Sequence, residues 1–162
     1  MELVGVRLEL PANTPIVLLR EAAGGRRVLP IYIGGPEAAA IAYALEKVPT
    51  PRPLTHDLLR NVLQELGADV RRIVVTELRD HTFFAEIELV LGDTTHRVSS
   101  RPSDAIALAV RAGTPIFAEE SVLDEAGQAA PEEDEDEEAG DEELVDEFRE
   151  FIENVKPDDF AS

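Results

Sequence analysis

At 162 residues, 44% of them hydrophobic, the chain suits one compact domain plus an extension. Its formal charge of −19 is unevenly placed: residues 1–118 carry 14 acids and 13 bases, whereas residues 119–162 carry 20 acids and 2 bases. The near-neutral body offers no broad cationic footprint for nucleic acid, and the absence of Cys excludes disulfides and thiolate metal sites.

No basic segment followed by a short apolar one opens the chain, and no apolar run reaches membrane-spanning length. The expectation is a cytoplasmic protein that does not enter membranes. Residues 2–10 alternate, with Val4, Val6, Leu8 and Leu10 on one side and Arg7 and Glu9 on the other, which predicts a half-buried strand. After the Pro11 to Pro15 turn, Ile16 to Arg20 reads as a second strand, and Gly24-Gly25 supplies a hairpin turn into a third, Val28 to Ile33. Gly34, Gly35 and Pro36 switch the chain into an Ala-rich helix, where Pro loses nothing because the first N–H groups are unpaired anyway.

Pro49, Pro51 and Pro53 stiffen a connection that ends at Thr55, a suitable N-cap. Leu58, Leu59, Val62, Leu63 and Leu66 then form one stripe, predicted to be the buried face of a helix stopped by Gly67. Val70 to Leu78, Thr82 to Leu91 and Thr94 to Ser99 read as three further strands. Pro102 opens the next helix, Gly113 closes it, and Pro115 to Ala118 is a last short strand. The predicted fold is α+β, with two β-meander-plus-helix halves in one domain over residues 1–124. An acidic disordered linker is expected at 125–143, where EEDEDEE runs at 132–138. Leu144, Val145, Phe148, Phe151, Ile152 and Val155 predict an amphipathic helix at 144–156, suited to docking on a partner.

One pattern occurs twice. Residues 33–42 read IGGPEAAAIA and residues 100–109 read SRPSDAIALA. Each places an acid, Glu37 or Asp104, in the first turn of a helix that follows a strand, where backbone N–H groups are free and the helix end is electropositive. PRPLTHDL at 51–58 starts the intervening helix with Arg52, His56 and Asp57 close together.

VLPIYIGGPEAAAIA, PRPLTHDL, the FFAEIEL strand and RPSDAIALAVRAGTPIF, in this order, resemble the bifunctional nuclease domain over about residues 3–124. The resemblance implies an α+β fold and cleavage of both DNA and RNA. The acidic linker and an ending at Pro157-Asp158-Asp159-Phe160 are similar to the actinobacterial type of member. One departure stands out: many relatives read Asp-Ala-Arg-Pro-Ser-Asp where this chain reads Ser99-Ser100-Arg101-Pro102-Ser103-Asp104, so a hydroxyl stands where a carboxylate could hold a metal.

A nuclease needs a grip on phosphate, an activated water and help for the leaving oxygen. Arg52 and Arg101, with the hydroxyls of Thr55 and Ser103, are the candidates for the grip. His56, Asp57 and Asp104 are the candidate catalytic residues, His56 as general acid or base. Glu37, Asp57 and Asp104 are candidate oxygen ligands for magnesium or manganese. The structural alternative is that these acids only stabilise helix ends and that the arginines only pair with them. His81 and His96 read as structural, the Arg26-Arg27 and Arg71-Arg72 doublets as solvated strand edges, and Tyr32, Phe83, Phe84 and Phe117 as core. The expected partners are nucleic acid as substrate, further copies of the chain in a homo-oligomer, and a protein for the terminal helix. The alternative function is a non-catalytic regulatory module that uses the acidic extension and that helix.

Overall fold

The structure, a computed structural model, describes residues 1–22 and 24–130. The predicted acidic linker beyond Ala130 and the predicted helix at 144–156 lie outside the described residues. Strands β1 (Glu2–Glu9), β2 (Thr14–Arg20) and β3 (Arg27–Tyr32) form an antiparallel meander, and helix α1 (Gly35–Leu45) follows it. Helix α2 (Thr55–Glu65) leads into the second meander, β4 (Ala68–Arg79), β5 (Thr82–Leu91) and β6 (Thr94–Ser100), and helix α3 (Pro102–Ala112) follows that. Strand β7 (Ile116–Ala118) then runs parallel to β4. The α+β, two-meander architecture expected from the sequence is therefore present.

Two elements extend the domain past residue 124. Helix α4 (Glu120–Ala126) buries Val122 and Leu123, and strand β8 (Gln128–Ala129) pairs with β3. The two sheets run β1-β2-β3-β8 and β6-β5-β4-β7. They share one core: Val17, Leu19, Leu29 and Ile31 from the first pack with Ile73, Val75, Ala85 and Ile87 from the second. The Ala105–Ala109 stretch of α3 belongs to the same core, fully buried, and packs against β4 and β5. The small side chains of this helix let α1 pack closely against it.

Several local expectations need correction. The alternation of β1 is broken by a bulge between Leu3 and Gly5, so Leu3 and Val6 reach the core while Val4 turns outward. Leu10, beyond the strand, is exposed. Tyr32 and Phe117 are exposed instead of buried: Tyr32 donates its hydroxyl to Glu9, and Phe117 lies under the Arg72 guanidinium. The arginine doublets are not simply solvated. Arg27 ties the β2–β3 hairpin to α4 through Glu21, Glu120 and Asp124, and Arg72 pairs with the buried Glu88.

Helix α2 is the largest departure. Its N-cap is Leu54, one residue before Thr55, and Asp57 folds back to accept the Leu54 backbone N–H at 3.0 Å. Its predicted buried stripe faces outward, with Leu58, Leu59, Val62 and Leu66 exposed, although Leu63 does pack on the core. The polar side of the helix faces the body instead. His56 is buried there, Arg111 of α3 donates to Asp57 at 2.6 Å, and Arg60 donates to the Arg111 carbonyl oxygen. Each of these three polar groups has a partner on α3, which fixes the rotation of α2 about its axis.

The Asp57–Arg111 pair should therefore be a structural joint. Arg111 is 5% exposed and Asp57 25%, so the Arg111→Ala substitution strands a partly buried carboxylate and should cost about 2–4 kcal/mol in chemical denaturation. Burial pushes the Asp57 carboxyl up, but the Arg111 guanidinium and the Leu54 amide outweigh it and hold the group below its ordinary value. A depressed carboxyl stabilises the fold above its unfolded value of about 4 and ceases to do so as pH falls through the folded value. The stability gap between the wild type and Asp57→Asn should accordingly shrink on acidification below about pH 4, measured by denaturation at stepped pH.

Candidate active site at the converging helix starts

The two copies of the Pro–acid pattern meet in space. Pro36 and Pro102 each open a helix, so Glu37 and Asp104 occupy equivalent first turns of α1 and α3. Gly34 is part of the reason that Glu37 turns toward its helix start: a side chain at this position would collide with the Glu37 carboxylate. Arg101, the N-cap residue of α3, bridges the two acids. Its Nε donates to Asp104 Oδ2 at 2.8 Å, and its Nη2 lies 3.1 Å from Asp104 Oδ1 and 2.9 Å from Glu37 Oε1. Its Nη1 has no protein partner among the described residues, and the side chain is 66% exposed.

From the other side, His56 in the first turn of α2 places Nε2 at 3.2 Å from Asp104 Oδ1. The acceptor is a carboxylate, so Nε2 carries the proton in the neutral ring. No protein group among the described residues bonds Nδ1, which leaves that nitrogen without a competing partner. Burial pushes the Asp104 carboxyl up, and the hydrogen bonds and charges of Arg101 and His56 more than reverse that, holding it below its ordinary value. In return, hydrogen bonding to Asp104 and the nearby Glu37 charge hold the Arg101 guanidinium even more firmly protonated. The result is one chain of contacts, Glu37–Arg101–Asp104–His56, drawn from the starts of three helices.

Other residues singled out from the sequence are placed differently. Asp57 is next to His56 in the chain but points to Arg111 in the last turn of α3, the opposite end from Asp104. It belongs to the helix joint and not to the bridged pair of acids. Arg52 is exposed on the Pro-rich connection, three residues before α2, and its side chain has no protein partner among the described residues. Thr55 is exposed in the first turn of α2, and Ser103 is buried in the first turn of α3. Among the described residues no three His, Asp or Glu side chains cluster as a metal cage.

A cleft of about 320 Å³ opens on the Asp57 side, lined among others by Tyr43, Lys47, Thr50, Arg60 and Arg111. Sequence reasoning passed over Arg111, Lys47 and Arg60. A signal for Arg111 existed: it lies seven residues after Asp104, two helical turns on, hence on the same face of α3.

The chain matches the family model described as Bifunctional nuclease domain over residues 17–131. It is 46% identical to an uncharacterized protein of Mycobacterium tuberculosis, Rv1829, across 100% of this chain and 98% of that one. It is also 32% identical to Bifunctional nuclease 2 of Arabidopsis thaliana, and 29% identical to Bifunctional nuclease 2 of rice, Oryza sativa subsp. japonica. These matches cover 66% and 65% of this chain but only 34% and 33% of the plant proteins, so the shared part is about a third of their length. No helix among the described residues is long and apolar enough to cross a membrane. Matched through most of its described residues, with its two Pro–acid helix starts inside the matched region, the chain belongs to the bifunctional nuclease domain family.

Proposed function

We propose that this chain is a phosphodiesterase that cleaves DNA and RNA with little sequence preference, and that the Glu37–Arg101–Asp104–His56 cluster performs the reaction. The observation that carries this reading is the His56–Asp104 contact at 3.2 Å with Arg101 alongside. An imidazole nitrogen without a protein partner, a carboxylate that orients the ring and an exposed guanidinium can serve phosphodiester hydrolysis as base, orienting group and phosphate grip. The names of the plant relatives support the same reaction class.

In this reading Arg101 binds a non-bridging phosphate oxygen through Nη1, leaving its hold on Asp104 and Glu37 in place. The charge that grows on the phosphate in the transition state then meets a donor already oriented by two acids. His56 Nδ1 accepts a proton from the attacking water as its oxygen bonds to phosphorus, Asp104 stabilises the imidazolium that forms, and the bridging P–O bond breaks with the leaving oxygen taking a proton from solvent. Arg52 supplies a second phosphate contact along the backbone, without reading bases. Low sequence preference follows, because phosphate contacts of this kind fix the backbone and carry no base information.

The donor set also suits a divalent cation. Glu37 and Asp104 are close enough to share one guanidinium, and magnesium commonly takes one or two carboxylates, water and substrate phosphate without a full protein cage. These two residues would hold magnesium or manganese, and the ion would supply Lewis-acid neutralisation of the phosphate. Asp57, engaged with Arg111, takes no part in that pair.

Purified full chain should cleave single- and double-stranded DNA and RNA in the presence of magnesium or manganese. His56→Ala and Arg101→Ala should each lower kcat/KM by about 100-fold or more at a temperature where circular dichroism shows both variants folded, although each lowers the thermal midpoint by freeing Asp104 of a partner. Equal activity in all three preparations would overturn the assignment. Arg101→Lys should recover only a small part of the loss, since an ammonium keeps the charge but not the planar fork. Arg52→Ala should instead raise KM with little change in kcat and flatten the salt dependence of binding, read by titrating labelled DNA at stepped ionic strength.

A further inference from the structure

Helix α2 is amphipathic the wrong way round for a lone domain. His56, Asp57, Arg60 and Asn61 are turned toward the body and are buried or half-buried, while the apolar stripe faces solvent. Leu58 is 57% exposed, Leu59 39%, Val62 45% and Leu66 67%. Two residues beyond Leu66 the buried Ala68 opens β4 opposite Leu91, which is itself 46% exposed at the end of β5. A contiguous apolar strip built on a rigid helix marks a surface that is covered in the working protein.

Its charge selects the occupant. The exposed residues of α2 are Thr55, Leu58, Leu59, Val62, Gln64 and Glu65, with Leu66 just beyond, so Glu65 is the one charge among them. Nucleic acid needs cations, and this face has none. Residues 131–162 of the same chain hold 16 acids and 2 bases; the apolar stripe predicted at 144–156 would bring that charge to a face that has no cation to meet it, which disfavours that occupant. What matches an apolar, nearly uncharged helical stripe is another of the same kind. The spacing is also self-complementary. Leu58 and Leu66 lie four residues to either side of Val62, so two copies packed antiparallel about a two-fold axis set each Leu58 against a Leu66 and bring the two Val62 side chains together.

We propose that the outward face of α2 is an isologous dimer interface, with the two-fold axis passing near Val62. The catalytic proposal is not needed for this inference, and the two can fail separately. One structural consequence links them: His56 lies on the inward face of the same helix, so dimerisation clamps the element that aims the imidazole. The acidic segments of two copies repel each other, so added salt should tighten the dimer, whereas an electrostatically held partner would be released by it.

The absence of cysteine allows a direct test. The full-length Val62→Cys variant is oxidised at micromolar concentration, in low salt and in high salt, and run alongside the wild type in sedimentation equilibrium. The expected result is a wild-type mass of twice 17.7 kDa, a disulfide-linked Val62→Cys dimer formed in high yield, and stronger association at high salt. Leu58→Glu should give a monomer with an unchanged circular dichroism spectrum. If that variant fails to fold, Leu66→Glu, at the exposed end of the stripe, provides the same reading. A monomeric wild type, with the thiol of the Val62→Cys variant freely reactive, overturns the proposal. So does a monomer in which that thiol is protected, which would assign the stripe to another part of the same chain. A dimer that both glutamate variants leave intact overturns it as well.

Discussion

One guanidinium organises this molecule's candidate site. Arg101 stands between the first turns of α1 and α3 and bonds a carboxylate on each, so two helix ends that would each leave an acid in solvent instead share a cation. The arrangement has a cost on both sides. Asp104 is partly desolvated, and only its contacts with Arg101 and His56 keep it ionised below the usual carboxylate value. In exchange the cluster is pre-oriented: the guanidinium is fixed by two acids, and the acid that fixes it also fixes the imidazole. Pre-orientation of this kind is what a charged transition state rewards, because the protein dipoles need no rearrangement when the charge develops.

The second organising constraint is the rotation of α2. An apolar stripe is worth about 1.5–3 kcal/mol for each large side chain that it buries, so a helix that turns four of them outward forgoes a large stabilisation unless something covers them. The polar contacts made in the other direction explain the choice. Asp57 meets Arg111, Arg60 meets the end of α3, and His56 meets Asp104, all of them on the inward face. The helix thus sends its candidate site residues into the domain and leaves its apolar side exposed, and the same rotation sets both. In the dimer proposed above, site and interface share this single rigid element.

The sequence made some of this legible and hid the rest for identifiable reasons. The starts of α1 and α3 were readable because Pro fixes the backbone and an acid follows within the first turn, both local properties. The pairing of Glu37 with Asp104 through Arg101 was foreshadowed by the duplicated pattern, although the pattern alone does not say that two similar helix starts meet. The stripe on α2 was correctly located but assigned the wrong direction. Periodicity measures the width of an apolar face, and which way it points depends on partners 48 and 54 residues later in the chain. The β1 bulge shifted an alternation that was otherwise sound. Helix α4 went unseen because it is seven residues long, buries just Val122 and Leu123 fully, and is embedded in acids.

The central claim is that His56, Asp104 and Arg101 act as one unit. A double-mutant cycle on nuclease activity tests it most directly, with kcat/KM measured for the wild type, His56→Ala, Arg101→Ala and the double variant under one set of conditions. Groups that act together lose little more when the second is removed, so the account predicts a double variant within about a few fold of the worse single one. Losses that simply multiply, as for two independent sites, would contradict it.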